Sequence, residues 1–331
     1  MPHSLPPCTN NTAIVLCTYN GERHLNTQVE SLLAQSQACT VLAFDDCSTD
    51  STLSILNSFE SDQFVVSQNV SNLGYVKNFE AAITAALKQN FQYIALSDQD
   101  DIWNPDRIER GLLALGKNKS NRALLVHSDL SVIGETGEAI TPSYFNLRNY
   151  RLSTQRNMEL ILGQNGVMGN TILMNSTLAK LALPFPENLH VHDYWLAVIA
   201  ELYGKRILLD QPTAQYRLHA DNASNSARKF SSLKLNPARL SFWRRLRKRD
   251  FKLPFMEDNR REVIAHLLDN STLPPLDSTD KLVLDSFYQY LQLQPSRTSL
   301  IRSMLKSDFL KSSWVYRLRF AAAMLLSKRY S

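Results

Sequence analysis

The chain has 331 residues, 44% of them hydrophobic and 20% charged, with a formal net charge of +5. That is the make-up of a folded globular protein with a substantial core, in one large domain or two modest ones, and it excludes a disordered or fibrous chain. No apolar run reaches the ~18 residues of a membrane span, and the amino terminus MPHSLPPCTNN lacks the charged and apolar regions of a secretory signal, so the chain is expected in the cytoplasm.

The total charge conceals an asymmetry. Residues 1–227 hold 15 Lys+Arg against 22 Asp+Glu, whereas 228–331 hold 21 against 9. The two parts are therefore expected to face different partners. The four cysteines, Cys8, Cys17, Cys39 and Cys47, have no C-x-x-C spacing and suit buried thiols of a reducing compartment.

In chain order, Thr12–Thr18 (TAIVLCT) is almost wholly apolar and rich in β-formers, the pattern of a strand covered on both faces. Tyr19-Asn20-Gly21 signals a turn, and Leu25, Val29, Leu32 and Leu33 follow at helical spacing. The unit repeats with a strand over 41–46 (VLAFDD), then Ser48, Thr49 and Asp50 as N-cap side chains for a helix carrying Leu53, Leu56 and Phe59. A third strand is predicted over 64–67, a helix on Val76, Phe79, Ile83 and Leu87, and a fourth strand from Tyr93. Ile108, Leu112 and Leu115 mark a helix, and Ala123–His127 a strand. Residues 134–165 give an irregular signal, with Tyr144, Phe145 and Tyr150 either packing locally or lining a sugar site. Gly166-Val-Met-Gly-Asn170 precedes a short strand over 171–174, His192-Asp193-Tyr194-Trp195 opens a helix, and a strand over 206–210 leads to Tyr216-Arg217-Leu218-His219.

Alternating strands and helices imply an α/β fold with a mostly parallel sheet covered on both sides, where ligands bind beyond the carboxyl ends of the strands. The polar clusters at Thr18 to Asn20, Asp45-Asp46, Asn69 to Asn72 and Asp98 to Asp101 fall there. The first loop, YNGER, is not G-x-G-x-x-G and no Walker A lysine motif occurs, which argues against dinucleotide oxidoreductases and P-loop NTPases. The stretch 93–107, YIALSDQDDIWNPDR, brings three carboxylates within four residues to a strand's end. Such clustered charge suits a hard divalent cation, Mg²⁺ or Mn²⁺, which keeps positions open for substrate phosphates; a solvated acidic turn is the alternative.

The series TAIVLCTYNGE, FDDCSTD, NLGYVKNF, SDQDDIWNPDR, HDYW and YRLH resembles the family 2 glycosyltransferases, and the DQDDIW and HDYW versions are similar to rhamnosyltransferase-like bacterial members that build surface polysaccharides. The matching motifs span about residues 12–222. The resemblance implies a GT-A-type, Rossmann-like mixed sheet flanked by helices, with a nucleotide-sugar half at about 12–120 and an acceptor half at about 121–227. It also implies a nucleotide-diphosphate sugar donor, with dTDP-rhamnose one candidate, and a glycan or lipid-linked acceptor. Residue by residue, it implies Tyr19 and Asp46 at the nucleobase with Thr18 and Glu22 nearby, Asp98 and Asp100 as the D-x-D that meets donor and metal, His219 completing the metal or diphosphate site, and Asp193 as catalytic base. Lys77 and Asn78 are candidate phosphate donors, with surface solvation the other use of Lys77. Asn170, Tyr194 and Trp195 are acceptor-side candidates, with core burial the other use of the two aromatics. The extra carboxylate, Asp101, leaves two frames for the metal ligands, of which Asp98 with Asp100 is preferred.

Other readings are a sugar-nucleotide pyrophosphorylase, whose glycine-rich signature after the first strand is absent, and a non-catalytic membrane-associated sugar-nucleotide-binding protein. A haloacid dehalogenase-type phosphatase carries its D-x-D on the first strand, not after several strand-helix units. Residues 228–331 are expected to form a basic helical extension, with WRRLRKR at 243–249 and Leu310, Trp314, Leu318, Ala321 and Leu325 at helical spacing. A cationic amphipathic helix suits the anionic inner face of the cell membrane, and packing on the catalytic domain is the alternative. No nucleic-acid module accompanies the basic run, so no nucleic-acid partner is expected.

Overall fold

The computed structural model describes residues 11–116, 122–148, 150, 153–219 and 260–292, together with 302 and 305. Thr12–Thr18 (β1) is buried throughout. Its side chains alternate between two cores: Ala13, Val15 and Cys17 enter one, Ile14 and Leu16 the other. With a side-chain period of two and both faces covered, the strand has no solvent face and reads as a continuous apolar run. The chain continues as α1 (Leu25–Leu33), β2 (Thr40–Asp45), α2 (Thr52–Ser58), β3 (Phe64–Gln68), α3 (Tyr75–Lys88) and β4 (Tyr93–Ser97), the predicted order. β1 pairs in parallel with β2 and β4, and β2 with β3. Of the three side chains expected to cap α2, Asp50 accepts from the Thr52 amide at 2.9 Å, while Ser48 turns back onto Asp45.

The sheet then ceases to be purely parallel. After α4 (Arg107–Gly116), β6 (Ala123–His127) pairs in parallel with β10 (Gly204–Leu208), and β9 (Leu173–Asn175) inserts antiparallel between β4 and β6. The result is a 7-stranded mixed sheet of order β10-β6-β9-β4-β1-β2-β3. The strand predicted over 171–174 starts later because Gly169–Thr171 forms a 3-10 turn. The strand predicted over 206–210 is shifted toward its start for a related reason, since α8 (His192–Tyr203) runs into it without a loop.

A second sheet has four strands, Ile102–Trp103 (β5), Ser131–Ile133 (β7), Ala139–Thr141 (β8) and Ala214–Arg217 (β11), in the order β5-β11-β7-β8. Strands this short hold too few residues for an alternating pattern, and none is predicted. The stretch expected to be irregular, 134–165, carries β8 and the helices α5 (Tyr144–Arg148) and α6 (Met158–Gln164).

One core lies under α3, α6, α7 (Ser176–Ala182) and α8. The helices α9 (Arg260–Asp269) and α10 (Ser278–Gln292) add Val263, Ile264, Leu267, Leu284, Phe287 and Leu291 to that same core. At about 1.5–3 kcal/mol for each large apolar side chain fully buried, these six tie the helices firmly to the body. So the described part of the predicted extension packs on the sheet domain. The cationic run at 243–249 and the pattern from Leu310 to Leu325 lie outside the described residues. Among the described residues no helix is long and apolar enough to cross a membrane.

Candidate active site

The acidic turn joins the two sheets: β4 ends in the large one at Ser97, and β5 begins in the small one at Ile102. Its three carboxylates have different surroundings. Asp101 is fully buried; it accepts from the Asn170 amide nitrogen and from the Arg217 backbone amide at 3.2 Å. Burial and the neighbouring Asp100 charge push its carboxyl up to about 7 against those donors. Asp100 instead faces His219, whose Nε2 lies 2.7 Å from Asp100 Oδ2. β11 carries His219 there by pairing antiparallel with β5. The Arg217 guanidinium reinforces the junction, with Nε donating to the Asp100 carbonyl at 3.0 Å and Nη1 to the Glu135 carbonyl at 3.0 Å.

Asp98 is surrounded by like charge. Burial, then Asp101, Asp100 and Asp193, push its carboxyl well above the usual carboxylate range, with Arg107 opposing them. Arg107 lies beneath the turn, 3% exposed, its guanidinium 3.3 Å from the centre of the Trp103 ring. Three carboxylates over one buried guanidinium leave negative charge that a cation would neutralise. Among the described residues no three His, Cys, Asp or Glu side chains converge as a complete metal cage. Asp100 and His219, 2.7 Å apart, would offer two ligands with Asp98 beside them, and a site of one or two protein ligands finished by phosphate oxygens and water is the form Mg²⁺ favours. The donor set therefore fits the ion.

The nucleotide-side candidates lie at the ends of β1 and β2. Tyr19 is 48% exposed, and its backbone amide and carbonyl are clamped by the two ends of the Gln99 side-chain amide, at 2.8 and 3.1 Å. The clamp requires Gly21, where a Cβ would sit 2.3 Å from Gln99 Oε1. Thr18 is buried, and its hydroxyl donates to Asp45 at 3.1 Å. Glu22 accepts from the Ser51 amide at 2.9 Å, holding the start of α2. Asp46 is 2% exposed; Oδ1 accepts from Asn69 Nδ2 and the Leu73 amide, and Oδ2 from the Gly74 amide, each at 2.8 Å. A carboxylate has about four acceptor positions, so these three donors leave one on Oδ2.

Asp193 stands in the first turn of α8, half-buried, accepting from Asn165 Nδ2 at 2.8 Å and the Gly169 amide at 3.2 Å. Burial pushes its carboxyl up to about 6 despite these bonds. Its charge acts on Asp98 and, together with the charge of Asp98, on the phenol of Tyr75. Asp98 and Asp46 in turn both act on the Cys17 thiol at the end of β1. The rim at the carboxyl ends of the parallel strands thus carries Asp46 and Asp98, with Asp193 within electrostatic reach of Asp98 and with Asp100 and His219 at its side.

Several sequence candidates have other duties. Trp195 is 1% exposed; its Nε1 donates to the Ala182 carbonyl at 2.8 Å, and its ring meets His266 of α9 at 5.5 Å. Tyr194 is 4% exposed, covered by Arg260 at 5.0 Å. Neither ring has a face for an acceptor, because α9 closes over the start of α8. Asn170 is also buried and pins Asp101. Asn78 is held by the Phe44 carbonyl and Asn69 within the fold, and Lys77 pairs with Glu80 at 2.6 Å on a half-exposed face. Four contributors were not singled out from the sequence: Gln99, Arg107, Arg217 and Tyr75. Gln99 lies within the acidic cluster and Arg107 follows it in the chain; the other two reach the site through sheet pairing and a turn, which no local pattern announces.

The mixed α/β sheet flanked by helices, with a D-x-D turn at its carboxyl edge, is of the GT-A class. Residues 13–171 match the glycosyl transferase family 2, so the chain carries a family 2 glycosyltransferase domain. It is 34% identical over 111 residues to the dTDP-rhamnosyl transferase RfbG of Shigella flexneri, a match that covers 32% of this chain and 38% of that relative. It is 25% identical over 230 residues to the UDP-Glc:alpha-D-GlcNAc-diphosphoundecaprenol beta-1,3-glucosyltransferase WfgD of Escherichia coli, covering 67% of this chain and 82% of that protein. Its fold is similar to S. aureus TarS 1-349 in complex with UDP-GlcNAc, with a TM-score of 0.58 at 18% identity over 94% of this chain and 79% of that one. It is also similar to the mannosyltransferase PcManGT of Pyrobaculum calidifontis in complex with GDP-Man and Mn²⁺, with a TM-score of 0.53 at 14% identity over 100% and 85% of the two chains.

Proposed function

We propose that this chain is an inverting, cation-dependent glycosyltransferase of cell-surface polysaccharide synthesis. It transfers a sugar from a nucleoside diphosphate donor to a glycan or lipid-linked glycan acceptor at the inner face of the cell membrane. The observation that carries the reading is that Asp193 stands within electrostatic reach of Asp98, beside which Asp100 meets His219 at 2.7 Å. An acceptor hydroxyl is a poor nucleophile until a carboxylate takes its proton, and a base with its pKa near the working pH does so efficiently. Asp193, raised to about 6 by burial, fits that requirement. One base suffices when attack at C1 runs in line, opposite the leaving diphosphate, and the anomeric configuration inverts.

Asp100 and His219, with Asp98, would hold Mg²⁺ or Mn²⁺. When bound, the ion neutralises charge developing on the diphosphate leaving group. Tyr19, exposed at the mouth of β1, and the free acceptor position of Asp46 are the groups offered to the nucleobase, with Thr18 and Glu22 holding the loops around them. Rhamnose is supported as the donor sugar by the dTDP-rhamnosyl relative, and a lipid-linked acceptor by the diphosphoundecaprenol relative.

The test is nucleotide release by purified full-length chain with Mn²⁺ and dTDP-rhamnose, UDP-glucose, UDP-GlcNAc or GDP-mannose, with and without lipid-linked glycan extract. Acceptor-dependent release from one donor is expected. Release from none of the four would overturn the reading.

A further inference from the structure

We propose that the exposed ring of Tyr75 is the wall of the subsite for the transferred sugar. This rests on the transferase reading above and adds to it a residue that selects the donor's sugar.

Tyr75 is the first residue of α3 and is 47% exposed, unlike the buried Phe79, Ala82 and Ile83 that follow it. Asp46, at the end of β2, sets the residue's place. Its carboxylate receives the Leu73 and Gly74 amides at 2.8 Å each, and its carbonyl receives Asn72 Nδ2 at 3.1 Å. Gly74 takes φ +81°, a conformation that L side chains rarely adopt, and the chain reverses there to deliver Tyr75 to the rim.

The ring is then held at both ends. Its edge meets His192 at 5.9 Å and 65°, and His192 in turn stacks on Phe79 at 4.2 Å. Its hydroxyl donates to the His190 carbonyl, just before α8. A half-exposed aromatic fixed in this way has already lost its rotamer freedom, so it can offer a rigid apolar face at little further entropic cost.

The ring stands beside the groups that flank the reaction: it packs on His192, next to Asp193, and feels the charges of Asp193 and Asp98. In-line displacement requires C1 to lie between the diphosphate, gathered at Asp98 and Asp100, and the acceptor hydroxyl, gathered at Asp193. The transferred sugar therefore fills the gap those groups flank. Tyr75 packs on His192, the neighbour of Asp193, and its phenol is raised to about 12 by burial and by the charges of Asp193 and Asp98. A pyranose presents an apolar C–H face to such a ring and keeps its hydroxyls at the edge.

Calorimetric titration of the full-length chain with Mn²⁺ separates the sugar's contribution from the nucleotide's. The titrants are UDP, dTDP and GDP, each beside UDP-glucose, UDP-GlcNAc, dTDP-rhamnose or GDP-mannose. For the donor bound best, Tyr75→Ala is expected to weaken the sugar nucleotide by about three- to tenfold, the range of an aromatic face contact. Free nucleotide affinity stays within about twofold, and Tyr75→Phe keeps both. Equal weakening of nucleotide and sugar nucleotide would assign Tyr75 a merely structural role, and an unchanged sugar increment would remove it from the subsite; either overturns the proposal while the transferase reading stands. A wild-type chain that binds none of these compounds would overturn both together.

Discussion

In the proposed function Asp193 works as a base only when ionised, and two opposing effects decide when that is. Burial favours the neutral acid, while bonds from Asn165 and Gly169 favour the carboxylate, leaving the group at about 6. The sign follows: below pH 6 the base is protonated and idle. We expect kcat/KM to rise nearly tenfold per pH unit up to about 6 and to level off above it, and a flat profile from pH 5 to 7 would refute the assignment. Asp193→Asn keeps the shape but cannot take a proton. It should lower turnover by about 10²–10⁴-fold, the usual share of a general base, with nucleotide affinity unchanged by calorimetry. Asp101 has the opposite task. Asn170→Ala would strip a donor from this fully buried carboxyl, at a cost of about 1–3 kcal/mol, read as a lower urea midpoint. The three carboxylates were visible in SDQDD, and the frame that pairs Asp98 with Asp100 was preferred there. What the string does not contain is the asymmetry of their partners, because Asn170, Arg217 and His219 come from 69 to 119 residues away.

At the scale of elements, the long repeating units were legible and the short ones were not. β1 and α3 declare themselves because their apolar periods run for several residues. β5 has two residues and β7 and β8 three each, so the second sheet is held by pairing that local sequence does not encode. α8 shows a different difficulty. Its opening HDYW suggests an aromatic platform, but most residues of the helix are buried, since the sheet lies on one side and α6, α7 and α9 cover the others. Burial all round erases the polar face by which a surface helix is recognised. Leu284, Phe287 and Leu291 enter the same core and make α10 part of the body. Phe287→Ala, at a position with 0% exposure, should cost about 3–5 kcal/mol in chemical denaturation. A change under about 1 kcal/mol would show that the helix is an appendage.

The whole molecule joins an acidic portion to a basic one. In the proposed function the first meets the donor and cation, and the second meets the anionic membrane that carries the acceptor. Full-length chain should therefore float with vesicles containing anionic phospholipid and be released by about 0.5 M salt, where screening shortens electrostatic reach to a few ångströms. Flotation indifferent to anionic lipid would defeat that use of the basic segments. Binding at the rim should also be felt globally. Mn²⁺ with nucleoside diphosphate at about 100 times its Kd stabilises a single site by roughly 2.7 kcal/mol. A rise in Tm that EDTA reverses is expected for the native chain and should be largely absent in Asp100→Asn.

By itself the amino-acid sequence determined the alternation of strands and helices, the carboxyl-edge placement of the polar clusters and the D-x-D turn, because each is written within a dozen consecutive residues. The antiparallel β9, the second sheet, the closure of α9 over Trp195, and the meeting of Asp100 with His219 and of Tyr75 with His192 were decided only in the tertiary structure. Each of those depends on groups far apart in the chain whose contact is established by packing and sheet pairing, and a local pattern carries no record of the partner it will meet.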